Sequence, residues 1–237
     1  MNVLLSTTYF GPIQWYQKLY RADKVWIERH ETFQKQTYRN RCIIATTQGT
    51  QALTVPIEAP SNLPQLGEAS ATDKGQPTSP SWGRQVGAIR ISDHGNWRHL
   101  HWNALRSAYG DSPFFMYYED DIRPFFERRW DYLFDFNEAI IEKMCELLDI
   151  QPNIHYTDQY LPSLDRERLR VGASAGMGLE EGLLDCRNTI TPKHPVPDPG
   201  FTPQRYYQVY EAKHGFLPNL SILDLLFNMG PESVFWL

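Results

Sequence analysis

The order of elements predicted by the first 28 residues constrains the fold most strongly. Residues 2–8 are a short run of apolar and β-branched side chains, typical of a core strand, which ends at Gly11 and Pro12. Pro12 suits the first turn of a helix, where no backbone donor is required, and apolar residues then recur at helical spacing over residues 13–20. Residues 25–27 predict a second strand. Strand, short helix and strand in this order predict the beginning of a parallel or mixed α/β sheet.

A hairpin and a change of composition follow. Residues 41–47 and 52–57 alternate or run apolar around Gln48, Gly49 and Thr50, which predicts a β-hairpin. Pro, Ser, Gly, Thr and Gln dominate residues 59–85, and large apolar residues are few there. Such a composition cannot form a core of its own, so we expect a flexible surface insertion. Residues 86–91 predict another strand after it.

The second half of the chain predicts mainly helices. Their expected positions are 97–108 with Asn96 as the cap, 114–122, 126–148, and 220–227 with Asn219 or Ser221 as the cap, and residues 153–156 suggest one more strand. Residues 163–204 show little periodicity and many Gly and Pro residues. Together these patterns predict one α/β domain over residues 1–237, with a mixed, mostly parallel sheet, flanking helices, a Rossmann-like start and one Pro/Ser-rich surface insertion.

Composition excludes several classes of protein. The chain has 237 residues and a formal net charge of −5, which argues against a nucleic-acid binder with a basic surface. No stretch approaches about 18 consecutive apolar residues, so we expect no membrane span. The N-terminus lacks the basic and apolar regions of a secretion signal, and three cysteines form no disulfide pattern. We therefore expect a cytoplasmic protein.

A cluster of cationic and amide side chains is the best candidate for ligand binding. It comprises Lys35, Arg39, Asn40 and Arg41. Arginine presents a planar, permanently charged fork that suits phosphate or carboxylate groups, so a nucleotide diphosphate is one possible partner. The other possibility is structural, because buried cations need a counter-charge. In that case Arg41 would pair with Asp23, Glu28 or Asp224.

His101 is the candidate general base, because imidazole titrates near neutral pH and can accept a proton from an amine. It shares a helical face with Trp97 and Tyr109, so a hydrogen-bonded structural histidine is the alternative. A metal site with His94 and His99 is rejected, since helix positions two apart do not face each other. We predict no metal site.

Asp224 and Cys42 are two further candidates. Asp224 is an acid within an apolar helix and needs a cationic partner or a proton, so it would either orient His101 or neutralise Arg41. Cys42 follows a cation on a predicted strand. It would be either a nucleophile, which leaves open a hydrolase using Cys42 and His101, or a small core residue.

Three ordered blocks of the chain resemble the WbqC-like protein family. The matching residues are Tyr9, Phe10, Gly11, Pro12, Tyr16, Asp23, Lys35, Asn40 and Arg41; then Trp97, His101, Tyr109, Pro113, Phe114, Phe115, Asn137 and Leu148; and finally Tyr207, Gln208, Phe216, Leu217, Pro218, Leu220, Ser221, Ile222, Asp224, Leu225, Leu226, Phe227 and Asn228. The resemblance covers most of the chain outside the insertion and the segment before Tyr207.

The resemblance implies a cytoplasmic bacterial protein of O-antigen or other surface-polysaccharide synthesis. The implied activity is transfer of an acyl or aminoacyl group, glycyl being the usual suggestion, onto a nucleotide-linked amino sugar. His101 and Asp224 would then be catalytic, and Tyr9 and Gln208 would join the cationic cluster in ligand binding. The resemblance does not identify a cofactor, which stays unknown. The shortened glycine-rich segment 172–178 favours the alternative, a non-catalytic nucleotide-sugar or partner-binding protein.

Overall fold

The computed structural model describes residues 1–58, 85–162, 182–193 and 195–237. Strand β1 (Asn2–Ser6), helix α1 (Ile13–Arg21) and strand β2 (Lys24–Glu28) follow one another, and the two strands pair in parallel. The predicted strand–helix–strand beginning is therefore confirmed. The glycine-rich segment 172–178 and the expected insertion, apart from Gln85, lie outside the described residues.

The predicted hairpin is present and forms a separate two-stranded sheet. It consists of β3 (Arg41–Thr46) and β4 (Gly49–Thr54), which pair antiparallel with Thr46 opposite Gly49. The turn is at Thr47 and Gln48, slightly earlier than expected, and Gly49 takes a φ of +106°, which only glycine adopts readily.

The strand predicted at residues 86–91 is wrong, because Val86–Ala88 is a 3₁₀ helix. Its backbone bonds to a loop rather than to a strand: Val86 N donates to Glu31 O at 2.8 Å and Gly87 N donates to Arg29 O at 3.1 Å. Gly87 also packs closely, since a Cβ there would lie 3.1 Å from Arg29 Cγ. A local apolar pattern cannot reveal such a partner.

Helices α2 (Trp97–Tyr109), α3 (Phe115–Ile122), α4 (Pro124–Glu127) and α5 (Leu133–Leu147) come next. The single helix expected at residues 126–148 is divided. Ile91 N donates to Asp131 O and Leu133 N donates to Ile89 O, both at 2.9 Å, so residues 128–132 leave the helix to pair with residues 89–91. Asn96 is not a side-chain cap, because it makes no capping hydrogen bond.

Strands β5 (Ile154–Tyr156) and β6 (Leu183–Asp185) complete the main sheet, whose four parallel strands lie in the order β5-β2-β1-β6. The α/β class is thus confirmed, and among the described strands only β3 and β4 pair antiparallel. Residues 153–156 had predicted β5. Strand β6 was missed, because three residues within a Gly- and Pro-rich stretch give no periodic signal.

Near the C-terminus lie α6 (Glu211–His214), α7 (Ile222–Met229) and a 3₁₀ helix, Gly230–Trp236. Ser221 caps α7 as one of the two predicted candidates, its Oγ accepting from Leu223 N. The same Oγ donates to Phe10 O at 2.7 Å, and Ile222 N donates to Gly11 O at 2.8 Å. The turn after β1 and the start of α7 are therefore fastened to each other in the core.

Candidate functional site

The carboxyl ends of the four parallel strands form one edge of the main sheet, which we call the carboxyl edge. Its strand ends are Ser6, Glu28, Tyr156 and Asp185. The chain leaves β1 towards β2 and β5 on one side, and β6 adds on the other side, so the strand order reverses at β1. In open α/β sheets, ligands bind outside the carboxyl ends at such a point.

Arg39 lies at this edge in a buried ion pair. Its Nε donates to Glu31 Oε1 at 2.8 Å and its Nη2 donates to Glu31 Oε2 at 2.5 Å. The Nη2 also donates to Ser6 Oγ at 2.7 Å, at the end of β1. The guanidinium is 2% exposed, and its counter-charge is an internal carboxylate.

Arg187 forms a second buried charged group that sequence reasoning missed. Its Nε and Nη2 donate to Asp185 at 2.9 and 2.6 Å, and its Nη1 lies 3.3 Å from Glu28 Oε2. Glu28 is fully buried and also accepts from Thr157 Oγ1 at 2.7 Å. A predicted strand at residues 183–185 would have drawn attention to Asp185, which ends it, and to Arg187 two residues later.

The two arginines line one small cavity of about 10 Å³, enough for about one water. The other lining residues are Ser6, Thr7, Thr8, Trp15, Tyr38, Cys186 and Ile190. Two guanidiniums face three carboxylates here, those of Glu28, Glu31 and Asp185. An anionic ligand must therefore displace a carboxylate, since the site already has more negative than positive groups.

A larger open cleft of about 580 Å³ lies between α5 and β5. Glu138 lines it, and Glu138 Oε1 accepts a long hydrogen bond of 3.5 Å from Thr7 Oγ1. Burial raises the pKa of Glu138 to about 7, against the opposing effects of the neighbouring Tyr156 and Thr7 hydroxyls and the charge of Arg29. Thr7 thus connects this cleft with the arginine-lined cavity. Glu138 gave no signal in the sequence, because it is one of several acids on an amphipathic helix.

His101 lies away from both cavities. Its Nδ1 is 2.9 Å from the Tyr9 hydroxyl, and its ring packs edge-on against Trp97 and Phe126. The side chain is 6% exposed, and burial lowers the pKa of His101 to about 4, so the imidazole is neutral at pH 7. The catalytic role of His101 and the ligand-binding role of Tyr9 stay predictions, and these contacts favour structural roles.

Asp224 is the centre of a separate buried network. Its oxygens accept from Tyr206 at 2.7 Å, Tyr109 at 2.8 Å and Gln208 at 3.3 Å. Burial raises the pKa of Asp224 to about 6, with these hydrogen bonds opposing the shift. Within the described part of the chain, neither His101 nor Arg41 hydrogen-bonds to Asp224. The functional roles of Asp224 and Gln208 stay predictions.

The remaining candidates are spread along the hairpin and the loop before it. Asn40 Nδ2 donates to Val55 O at 2.8 Å, and Arg41 Nε donates to Thr54 Oγ1 at 2.9 Å. Lys35 is exposed on the loop that carries Glu31 and Arg39. Cys42 is 1% exposed and burial raises the pKa of its thiol far above the usual range, which disfavours the thiolate that a nucleophile needs.

Two negative findings concern the described ranges alone. Among the residues that have described positions, no group of three or more His, Cys, Asp or Glu side chains could hold a metal ion. No helix in those ranges is both long enough and apolar enough to cross a membrane.

Comparison with known proteins agrees with the resemblance seen in the motifs. The chain is 26% identical over 215 residues to the uncharacterized protein Rv1507c of Mycobacterium tuberculosis, and the alignment covers 85% of this chain and 81% of that protein. No solved structure matches. The model of the WbqC-like protein family matches residues 7–82 and 76–175, which together exceed half of the sequence. The chain belongs to the WbqC-like protein family.

Proposed function

We propose that the protein is a cytoplasmic transferase of bacterial surface-polysaccharide synthesis. It transfers an acyl or aminoacyl group, of the glycyl type, onto a nucleotide-linked amino sugar bound at the carboxyl edge. Membership of the WbqC-like protein family supports the reaction class and pathway. The topology of the sheet supports the location of the site, because the strand order reverses at β1, whose end lies beside Arg39.

The observation that carries the proposal is the position of Arg39. Its guanidinium fork lies beside Ser6 and Thr7, and both hydroxyl residues line the same cavity. A diphosphate would replace the Glu31 carboxylate on that fork, and its oxygens would accept the hydrogen bonds that the guanidinium now donates to Glu31. The cavity holds about one water, so this exchange requires the loop at residues 29–40 to move outwards. Lys35 on that loop would supply a further positive charge.

The alternative is a binding protein without catalytic activity. It is favoured by the burial of His101, whose neutral ring is hydrogen-bonded to Tyr9 and borders neither cavity at the carboxyl edge. A ligand could then occupy the edge without any proton transfer by that histidine. Binding and turnover must accordingly be measured separately.

Calorimetric titration with nucleoside diphosphates and nucleotide-linked amino sugars tests the site. We expect binding by the wild type and at least tenfold weaker binding by Arg39→Lys, which keeps the charge beside Glu31 but loses the fork. Arg41→Lys is the matched variant, since Arg41 lines neither cavity at the edge, and we expect its affinity to stay within threefold. Equal affinity of wild type and Arg39→Lys would remove the carboxyl edge from the proposal.

Mass spectrometry of the amino sugar after incubation with acyl and glycyl thioesters tests the reaction. A product heavier by the acyl group, formed only with active protein, is the expected result. Binding that Arg39→Lys weakens, together with no product from any donor, would favour the binding protein over the transferase.

A further inference from the structure

Glu138 is a half-buried carboxylate at the carboxyl edge, and among the described residues it forms no ion pair with an arginine. Glu28, Glu31 and Asp185 are each paired with Arg39 or Arg187. Glu138 instead receives a long hydrogen bond from Thr7 and has the Tyr156 hydroxyl nearby, and its buried Oε2 makes no hydrogen bond of ordinary geometry among the described residues. A largely desolvated acid with so few partners costs stability, which points to a use other than folding.

The surroundings of Glu138 suit an amine. Glu138 lines the 580 Å³ cleft together with Asp135 and Glu142, two exposed acids on the same helix. The opposite wall is apolar and aromatic, formed by Pro152, Ile154 and Tyr156 of β5 and the segment before it. Carboxylates at one wall would attract an ammonium group, and an apolar wall would carry the face of a sugar ring.

We propose that Glu138 accepts the proton of the acceptor amine, with the amino sugar in the cleft and its phosphates towards Arg39. This assignment rests on the proposed function. Thr7 sets the geometry, because it touches Glu138 and also lines the cavity that contains Arg39. The acceptor would therefore extend from one cavity to the other across the end of β1.

The step balances as an acyl transfer from an activated donor, such as a thioester. The amine nitrogen forms a bond to the acyl carbonyl carbon, and the bond from that carbon to sulfur breaks. The proton lost by nitrogen moves to the Glu138 carboxylate and then to the departing thiolate. A carboxylate whose pKa burial raises to about 7 is a stronger base than an ordinary one and is still ionised above neutral pH.

Several groups facing Glu138 influence its ionisation. Tyr156 on β5, Thr7 after β1 and Arg29 after β2 favour the carboxylate, and Asp135 on its own helix disfavours it. Tyr16 of α1 and Cys145 of α5 are also within electrostatic range of Glu138. Burial outweighs the favourable groups, so the carboxyl group titrates near neutral pH.

The test compares Glu138→Gln with Glu146→Gln, the matched change at an exposed acid two turns further along α5 that does not line the cleft. We expect Glu138→Gln to lower kcat by 10²–10⁴-fold with KM changed less than threefold, and Glu146→Gln to keep kcat within threefold. The wild-type rate should rise with pH around 7, and that rise should be absent from the residual activity of Glu138→Gln. Circular dichroism of each variant checks the fold.

The outcomes separate the two proposals. Wild-type turnover with Glu138→Gln equally active overturns the role of Glu138 and leaves the transferase proposal intact. No turnover by the wild type with any donor overturns both. A carbon-13 NMR titration of the labelled Glu138 side chain adds a readout that does not depend on turnover. A midpoint near 4.5 instead of near 7 would also overturn the assignment.

Discussion

Two buried polar regions of this protein differ in how their ionisable groups are satisfied. The first, the aromatic core, contains Tyr9, His101, Tyr109, Tyr206 and Asp224, and its hydrogen bonds join one imidazole and one carboxylate to neutral phenols. The carboxyl edge instead contains full ion pairs beside two cavities. The hydrogen bonds of the aromatic core hold packed elements together, whereas the carboxyl edge places charged side chains beside cavities that a ligand could enter.

The blocks that carry the family resemblance meet in the aromatic core. Tyr9 contacts His101, and Phe10 and Gly11 accept hydrogen bonds from Ser221 and Ile222. A motif shared with a family can therefore reflect a common packing arrangement. In this fold, the residues of the family motif therefore do not have to be the residues that line a ligand-binding cavity.

The largest effect expected comes from breaking the ion pair at the edge. Glu31→Ala leaves the guanidinium of Arg39 buried without its carboxylate, and we expect the free energy of unfolding to fall by about 4 kcal/mol. Urea denaturation of the variant and the wild type measures it. A loss below about 1 kcal/mol would mean that the pair is solvated and contributes as little as a surface pair.

The control replaces both partners of this pair. Arg39→Met with Glu31→Leu removes the charges and keeps the volume, and buried pairs replaced in this way are often neutral or stabilising. We expect this double variant to unfold within about 1 kcal/mol of the wild type and to lose nucleotide binding. Such a result would assign the charges at the edge to function. A double variant as unstable as Glu31→Ala would mean that the ion pair at the carboxyl edge is structural, as the hydrogen bonds of the aromatic core are.

Asp224→Ala is the next largest change and acts on the core. It leaves the hydroxyl groups of Tyr109 and Tyr206 and the amide of Gln208 without their common acceptor, so we expect a loss of about 3 kcal/mol in unfolding free energy. Asp224→Asn keeps one acceptor oxygen and should cost about 1 kcal/mol. Nucleotide affinity of the folded Asp224→Asn protein should equal that of the wild type. Weaker nucleotide binding by Asp224→Asn would support the predicted role of Asp224 in the ligand site.

The sequence predicted elements whose signal is local. The strand–helix–strand start, the hairpin and the cap at Ser221 each depend on neighbouring residues. The break at residues 128–132 depends on pairing with residues 89–91, and the three-residue strand β6 depends on lying beside β1. Interactions between distant segments determine whether those elements form, so a local stretch of sequence cannot predict them.

The same distinction explains the candidate site. Arg39 could be proposed from its residue type and its place after a strand, because a guanidinium there needs an anion. The sequence could not predict that Glu31 is the partner of Arg39. Nor could it predict that Arg187 pairs with Glu28, which lies 159 residues away. Glu138 is recognisable as unusual only after α5 has packed beside Thr7. The type of a site residue can be read from sequence, but its partners follow from topology.

The smallest of these effects concerns His101 and has a defined pH dependence. Folding lowers the pKa of His101 from 6.5 to about 4, so the unfolded chain binds more protons between these values. The neutral imidazole therefore makes its full contribution to the free energy of unfolding above about pH 6.5, and this contribution is lost as the pH falls towards 4. Between pH 8 and pH 5 we expect the wild type to lose about 2 kcal/mol more unfolding free energy than His101→Gln, measured by urea denaturation.

The pKa shifts of Asp224 and Glu138 have the opposite sign and occur in both proteins, so their effects cancel in this difference. Equal pH dependence of the two proteins would mean that the imidazole titrates normally, and a solvent-accessible His101 would then compete with Glu138 as the base.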